Sequence, residues 1–69
     1  MVTYERLWNY LKKLNLNPSD LSPLCGISYS TLARMRQNKA VSLDVIDRIC
    51  LELDCPIETV VEIKRPKED

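Results

Sequence analysis

The chain has 69 residues, 45% hydrophobic and 29% charged, with ten Lys/Arg against ten Asp/Glu and no histidine. This length makes one small domain that buries only about 60% of the surface its unfolded chain would expose, and no apolar run approaches the roughly 18 residues of a membrane span. Net charge is zero but unevenly placed: residues 1–41 hold six Lys/Arg against two acids, and residues 42–69 hold four against eight, an asymmetry that hints at a nucleic-acid face.

Residues 4–14, YERLWNYLKKL, carry apolar positions at intervals of three and four. The spacing predicts a helix with Tyr4, Leu7, Trp8, Leu11 and Leu14 on its inner face. Thr3 is the expected N-cap, Glu5 suits the positive end of the helix dipole, and Lys12 and Lys13 suit the negative end. Trp8 belongs to the core on this reading, with a ligand contact as the alternative.

In NLNPSDLSPLCG, Asn17 is a cap, Pro18 fits the first helical position and Asp20 stands where a capping-box acid would. Leu21 and Leu24 are expected to point inward. Gly26, the chain's one glycine, then ends the helix in a left-handed conformation. Pro23 removes the backbone donor that would bond to Ser19, so this second helix is expected to be distorted or partly 3-10.

Ser28 caps a third helix, with Ile27 and Leu32 at the two positions of a hydrophobic staple. Leu32 and Met35 face the core. Tyr29, Ser30, Ala33, Arg34 and Arg36 are left for the outer face, and the helix stops near Gln37–Asn38. Ser42 caps a fourth helix, where Val41 and Ile46 repeat the staple. Leu43, Ile46, Ile49, Cys50 and Leu53 form its apolar stripe, with Asp44 and Asp47 outside. Pro56 opens a short fifth helix, PIETVVE, burying Ile57, Val60 and Val61. The following EIKRP is either a brief strand, paired with the N-terminal MVT or with a second subunit, or a disordered tail. The polar KRPKED end is expected to fray.

Five short helices make a compact all-α domain, a single unit over 1–69 with its core at about 4–61 and a tail at 62–69. The second and third helices, joined by a tight glycine turn, have a helix-turn-helix arrangement. The three cysteines, Cys25, Cys50 and Cys55, include no CxxC pair and read as small buried hydrophobes in a reducing cytosol. Without histidine a structural zinc site is unexpected, no cofactor is implied, and no nucleophile–base pair suggests an enzyme. No basic, apolar leader is evident, so the expected location is cytoplasmic.

The segment NPSDLSPLCGISYSTLARMRQNKAVSLDVIDRICLELDC resembles the helix-turn-helix domains of the phage repressor and Cro type, the XRE family. Leu21, Gly26, Ile27, Ser28, Thr31, Leu32, Lys39, Leu43, Ile46, Ile49 and Leu53 fall in register with that family's pattern, and the likeness runs over about residues 5–61. The resemblance implies that the third helix enters the major groove of double-stranded DNA and reads bases from its first turn and one turn later, here Tyr29, Ser30 and Arg34. An arginine there pairs with guanine O6 and N7. The alternative is a surface salt bridge for Arg34 and, for Tyr29, a partly buried ring closing the corner between helices two and three. The same resemblance places phosphate contacts on Asn38 and Lys39 in the loop after helix three, with Arg36 either adding to them or only solvated. It also places them at the start of helix two, where Pro18 replaces the family's usual glutamine and Asn17, Ser19 or a nearby amide would substitute. It implies a transcriptional regulator, most simply a repressor working as a homodimer. The dimer surface is not part of the resemblance; helix five and VVEIKRP are the segment expected to form it. The competing reading is a protein-interaction module, such as an antitoxin or anti-regulator, on the same fold.

Overall fold

The computed structural model describes residues 1–65. In chain order it contains β1 (Val2–Thr3), α1 (Glu5–Lys13), a 3-10 turn (Pro18–Asp20), α2 (Leu21–Cys25), α3 (Tyr29–Arg36), α4 (Leu43–Leu53), α5 (Ile57–Val60) and β2 (Glu62–Ile63). The two strands pair antiparallel, Val2 with Ile63 and Thr3 with Glu62. Of the two readings of EIKRP, the brief strand is the one that forms, over Glu62–Ile63, and its partner is the N-terminal segment of the same chain. Arg6–Glu62 and Lys64–Glu5 ion pairs at 3.3 and 3.1 Å reinforce this closure. Of the expected tail, residues 66–69 lie outside the described residues.

Tyr4, Leu7, Leu11, Leu21, Cys25, Ile27, Leu32, Met35, Ile46, Ile49 and Val60 form one buried cluster to which every helix contributes. Trp8 sits half-buried at its rim, its ring 6.5 Å from that of Tyr4. Four expected core leucines and isoleucines prove exposed. Leu43 and Ile57 are the first residues of α4 and α5. Helical side chains lean toward the N-terminus, so both project off the helix end rather than onto the packed face. Leu24 is displaced by Cys25, which stands four residues from Leu21 and completes the inner face of α2. Leu14 turns out to solvent because α1 ends there, and the half-buried Leu16 packs against the core in its stead.

The helix ends share a device. Asn15, Asn38 and Asp54 take φ of 59°, 58° and 52°, and Gly26 takes 68°. After α1 the amides of Asn15 and Leu16 bond back to Lys12 and Leu11; after α3 those of Asn38 and Lys39 bond back to Met35 and Arg34. This is the Schellman closure, in which a left-handed residue lets the chain satisfy its last carbonyls. Short Asx side chains tolerate that conformation better than other non-glycine residues, so a chain with one glycine still ends four helices sharply.

The helix starts also follow local chemistry. Ser28 and Ser42 accept the amides of Thr31 and Val45 at 3.1 and 3.3 Å. The Asp20 carboxylate accepts the Asn17 amide at 2.8 Å. Thr3 is not the N-cap of α1: Tyr4 holds that position and Thr3 is in β1, although its hydroxyl still accepts the Glu5 amide at 3.2 Å. The irregularity expected from Pro23 falls earlier, over the 3-10 turn Pro18–Asp20, and Pro23 itself lies within an α-helical α2.

Candidate nucleic-acid interface

The corner between α2 and α3 is fixed from two sides. The Ser22 hydroxyl donates to the Ile27 carbonyl at 2.7 Å, and Arg48 of α4 donates from Nη1 to the Gly26 carbonyl at 3.0 Å. Arg48 also pairs with Asp44 through Nη2 at 3.3 Å. These bonds hold α3 at one angle to the body of the domain. Leu32 and Met35 bury its inner face.

The outer face of α3 carries the expected set. Tyr29 is 68% exposed, so its ring does not close the corner but stands in solvent. Ser30 is exposed beside it, its hydroxyl 3.0 Å from that of Ser28. Thr31 is half-buried and receives the Ser28 hydroxyl at 2.9 Å, which makes it a brace of the cap. Arg34, one turn on, is exposed and forms no salt bridge among the described residues. Instead its Nε and Nη2 both donate to the Ala40 carbonyl, at 3.3 and 2.9 Å. A guanidinium has five donors on two usable edges. Ala40 occupies one edge, and the Nη1–Nη2 edge has no bond among the described residues.

Arg36, Asn38 and Lys39 are exposed at the end of α3 and in the following loop. Arg36 and Lys39 make no ion pair among the described residues, and α3 with this loop contains no acid. The loop backbone is nevertheless held. Besides the Arg34 bonds to Ala40, the hydroxyl of Tyr4 donates to the Lys39 carbonyl at 2.8 Å. Burial pushes that phenol above its usual pKa, against the opposing effects of the Val41 amide and the Arg34 charge, so it remains a protonated donor at neutral pH. The 3-10 turn bearing Ser19 packs against α3, which brings Asn17 and Ser19 into the same region. There Asp20 already satisfies the Asn17 amide. The Asn17 side-chain amide and the Ser19 hydroxyl are side-chain donors at this turn.

Sequence periodicity did not single out Tyr4 or Arg48 for these supporting bonds. Tyr4 did carry a signal: a tyrosine on a core stripe needs a partner for its hydroxyl once buried. Elsewhere the chain shows little that suggests chemistry. The three thiols are free, and burial is the leading cause that raises the pKa of each, which disfavours the reactive thiolate. Among the described residues no cluster of three or more His, Cys, Asp or Glu is arranged to hold a metal ion, and no helix is long and apolar enough to cross a membrane.

Comparison with known proteins agrees with this geometry. The structure is similar to the crystal structure of the transcriptional regulator VanUg, at a TM-score of 0.85 and 34% sequence identity, over 88% of this chain and 81% of that one. No curated protein matches the sequence. The family described as the Cro/C1-type helix-turn-helix DNA-binding domain matches residues 6–66. With its braced corner, outward-facing third helix and near-complete family match, the chain belongs to the Cro/C1-type helix-turn-helix DNA-binding domains.

Proposed function

We propose that this chain is a sequence-specific double-stranded DNA-binding transcriptional regulator, a repressor that binds paired operator half-sites as a homodimer in the cytoplasm. The observation that carries the reading is the outer face of α3: exposed, free of acids, and bearing Tyr29, Ser30 and Arg34 on successive turns. The likeness to the regulator VanUg supports the regulatory role. Tyr29 and Ser30 meet base edges or thymine methyls from the first turn. Arg34, its plane oriented by the Ala40 carbonyl, offers its free edge to a guanine, a contact that discriminates by about 1–3 kcal/mol. Asn17, Ser19, Arg36, Asn38 and Lys39 hold phosphates and set register without reading sequence. One such helix spans only a few base pairs, so two copies on half-sites about 34 Å apart multiply specificity. The surface around α5 and β2, where Ile57 and Ile63 remain exposed, serves the second copy.

Selection from a random duplex pool tests the whole reading. The expected product is an enriched, twofold-symmetric sequence, and a pool that stays random would overturn it. With that sequence in hand, Arg34→Ala should relax preference at one position in each half-site. Equal loss on every duplex would remove Arg34 from the base-reading set.

A further inference from the structure

The loop after α3 is held more firmly than ending a helix requires. The Schellman closure accounts for the Asn38 and Lys39 amides, as the matching bonds do after α1. It makes no demand on the Lys39 carbonyl. That group is taken by the hydroxyl of Tyr4, a residue 35 positions away and 1% exposed. A leucine or phenylalanine would fill the same apolar space without reaching the loop.

We propose that Tyr4 is a positioning residue for DNA binding: its hydroxyl fixes the Lys39 backbone so that the lysine is presented to a phosphate in one arrangement before DNA arrives. The inference rests on the reading that this loop meets the DNA backbone. The physical ground is preorganisation. Lysine is a point charge on a flexible four-carbon stem, and a mobile backbone beneath it would add ordering entropy to the cost of every phosphate contact. The clamp moves that ordering into folding. Arg34 completes it by holding the next carbonyl, Ala40. The two side chains thus tie the loop at once to the buried core and to the base-reading helix.

Tyr4→Phe in the full chain is the test, since it keeps the ring and deletes the donor. Affinity is read on a random-sequence duplex and on the selected duplex, in the native and Lys39→Ala backgrounds. In the native background Tyr4→Phe should weaken both duplexes alike, by about three- to tenfold, the cost of ordering one mobile group on binding. In the Lys39→Ala background the loss should be clearly smaller, because positioning an absent charge gains nothing. Equal losses in the two backgrounds, or no loss in the first, would overturn the role. Hydrogen exchange at the Lys39 amide judges the clamp without DNA. In the native chain this amide, bonded to the Arg34 carbonyl, should exchange more slowly than the Leu16 amide, which closes α1 in the same way without a clamp, and Tyr4→Phe should speed Lys39 more than Leu16, beyond the shared loss of global stability. Equal protection of the two amides in the native chain, or equal acceleration in the variant, refutes the clamp. A native chain that binds no duplex overturns the DNA reading and the positioning role together, and the exchange result then shows whether the clamp itself was right.

Discussion

Helices α3 and α4 both begin behind a serine whose hydroxyl accepts an amide three residues on, and both follow an apolar residue that packs on the core. Each buries its inner face completely at one residue, Met35 in the last turn of α3 and Ile49 in the middle of α4, both 0% exposed. Their outer faces diverge. That of α4 carries Asp44, Asp47 and Glu52, and its one arginine, Arg48, is paired with Asp44 and spent on the Gly26 carbonyl. That of α3 carries hydroxyls and arginines with no acid, and the loop behind it adds Lys39. The inner face of a helix is dictated by the core and reveals little about function. What distinguishes these two is whether their cations are neutralised within the molecule.

If the inner faces are equivalent, their truncation should be too. Met35→Ala and Ile49→Ala should each cost about 2–5 kcal/mol. A single core in a domain of this size rarely supplies more than about 3–5 kcal/mol, so thermal melting should show both variants largely unfolded near room temperature. A well-folded Met35→Ala would mean that α3 is held by its ends rather than by the core, and the comparison would fail at its first step.

These inner faces were legible in the sequence because spacing of three and four is a local signal. So were the caps Ser28 and Ser42 and the left-handed Gly26, each set by one or two neighbouring residues. Leu43 and Ile57 were misassigned because periodicity identifies a stripe but does not show that a first-turn side chain leans off the end of its helix. Leu24 failed for a related reason: in a five-residue helix Cys25 competes for the same face. The candidate site was legible as a set of exposed positions but not as a connected structure. The Tyr4–Lys39 and Arg34–Ala40 bonds depend on where the chain returns after a turn, which no local pattern encodes.

The two caps offer a finer comparison. Ser28→Ala and Ser42→Ala should each cost about 1 kcal/mol in thermal or denaturant unfolding. Only Ser28→Ala should also weaken DNA binding under conditions where both variants are fully folded, because Ser28 braces Thr31 and adjoins Ser30 on the outward face. Equal binding by the two folded variants would show that the first turn of α3 does not need this brace.

The smallest change in stability should bring out the sharpest difference in function. Lys39→Ala removes an exposed charge with no ion pair among the described residues, and Arg48→Ala breaks an exposed ion pair of a kind worth about 0–1 kcal/mol together with the exposed bond to the Gly26 carbonyl. Both variants should fold. A phosphate contact releases condensed counterions, so its loss reduces the slope of log affinity against log salt by about 0.9. Lys39→Ala should show that reduction on every duplex alike. Arg48→Ala should keep the native slope, because its charge is already met by Asp44 and its Nη1 is engaged with the Gly26 carbonyl. Any loss of affinity in that variant would come from a loosened α2–α3 corner and would not vary with salt. If the slopes respond the other way round, with Arg48→Ala flattening and Lys39→Ala not, the DNA backbone runs along α4 and the assignment of the two outer faces must be exchanged.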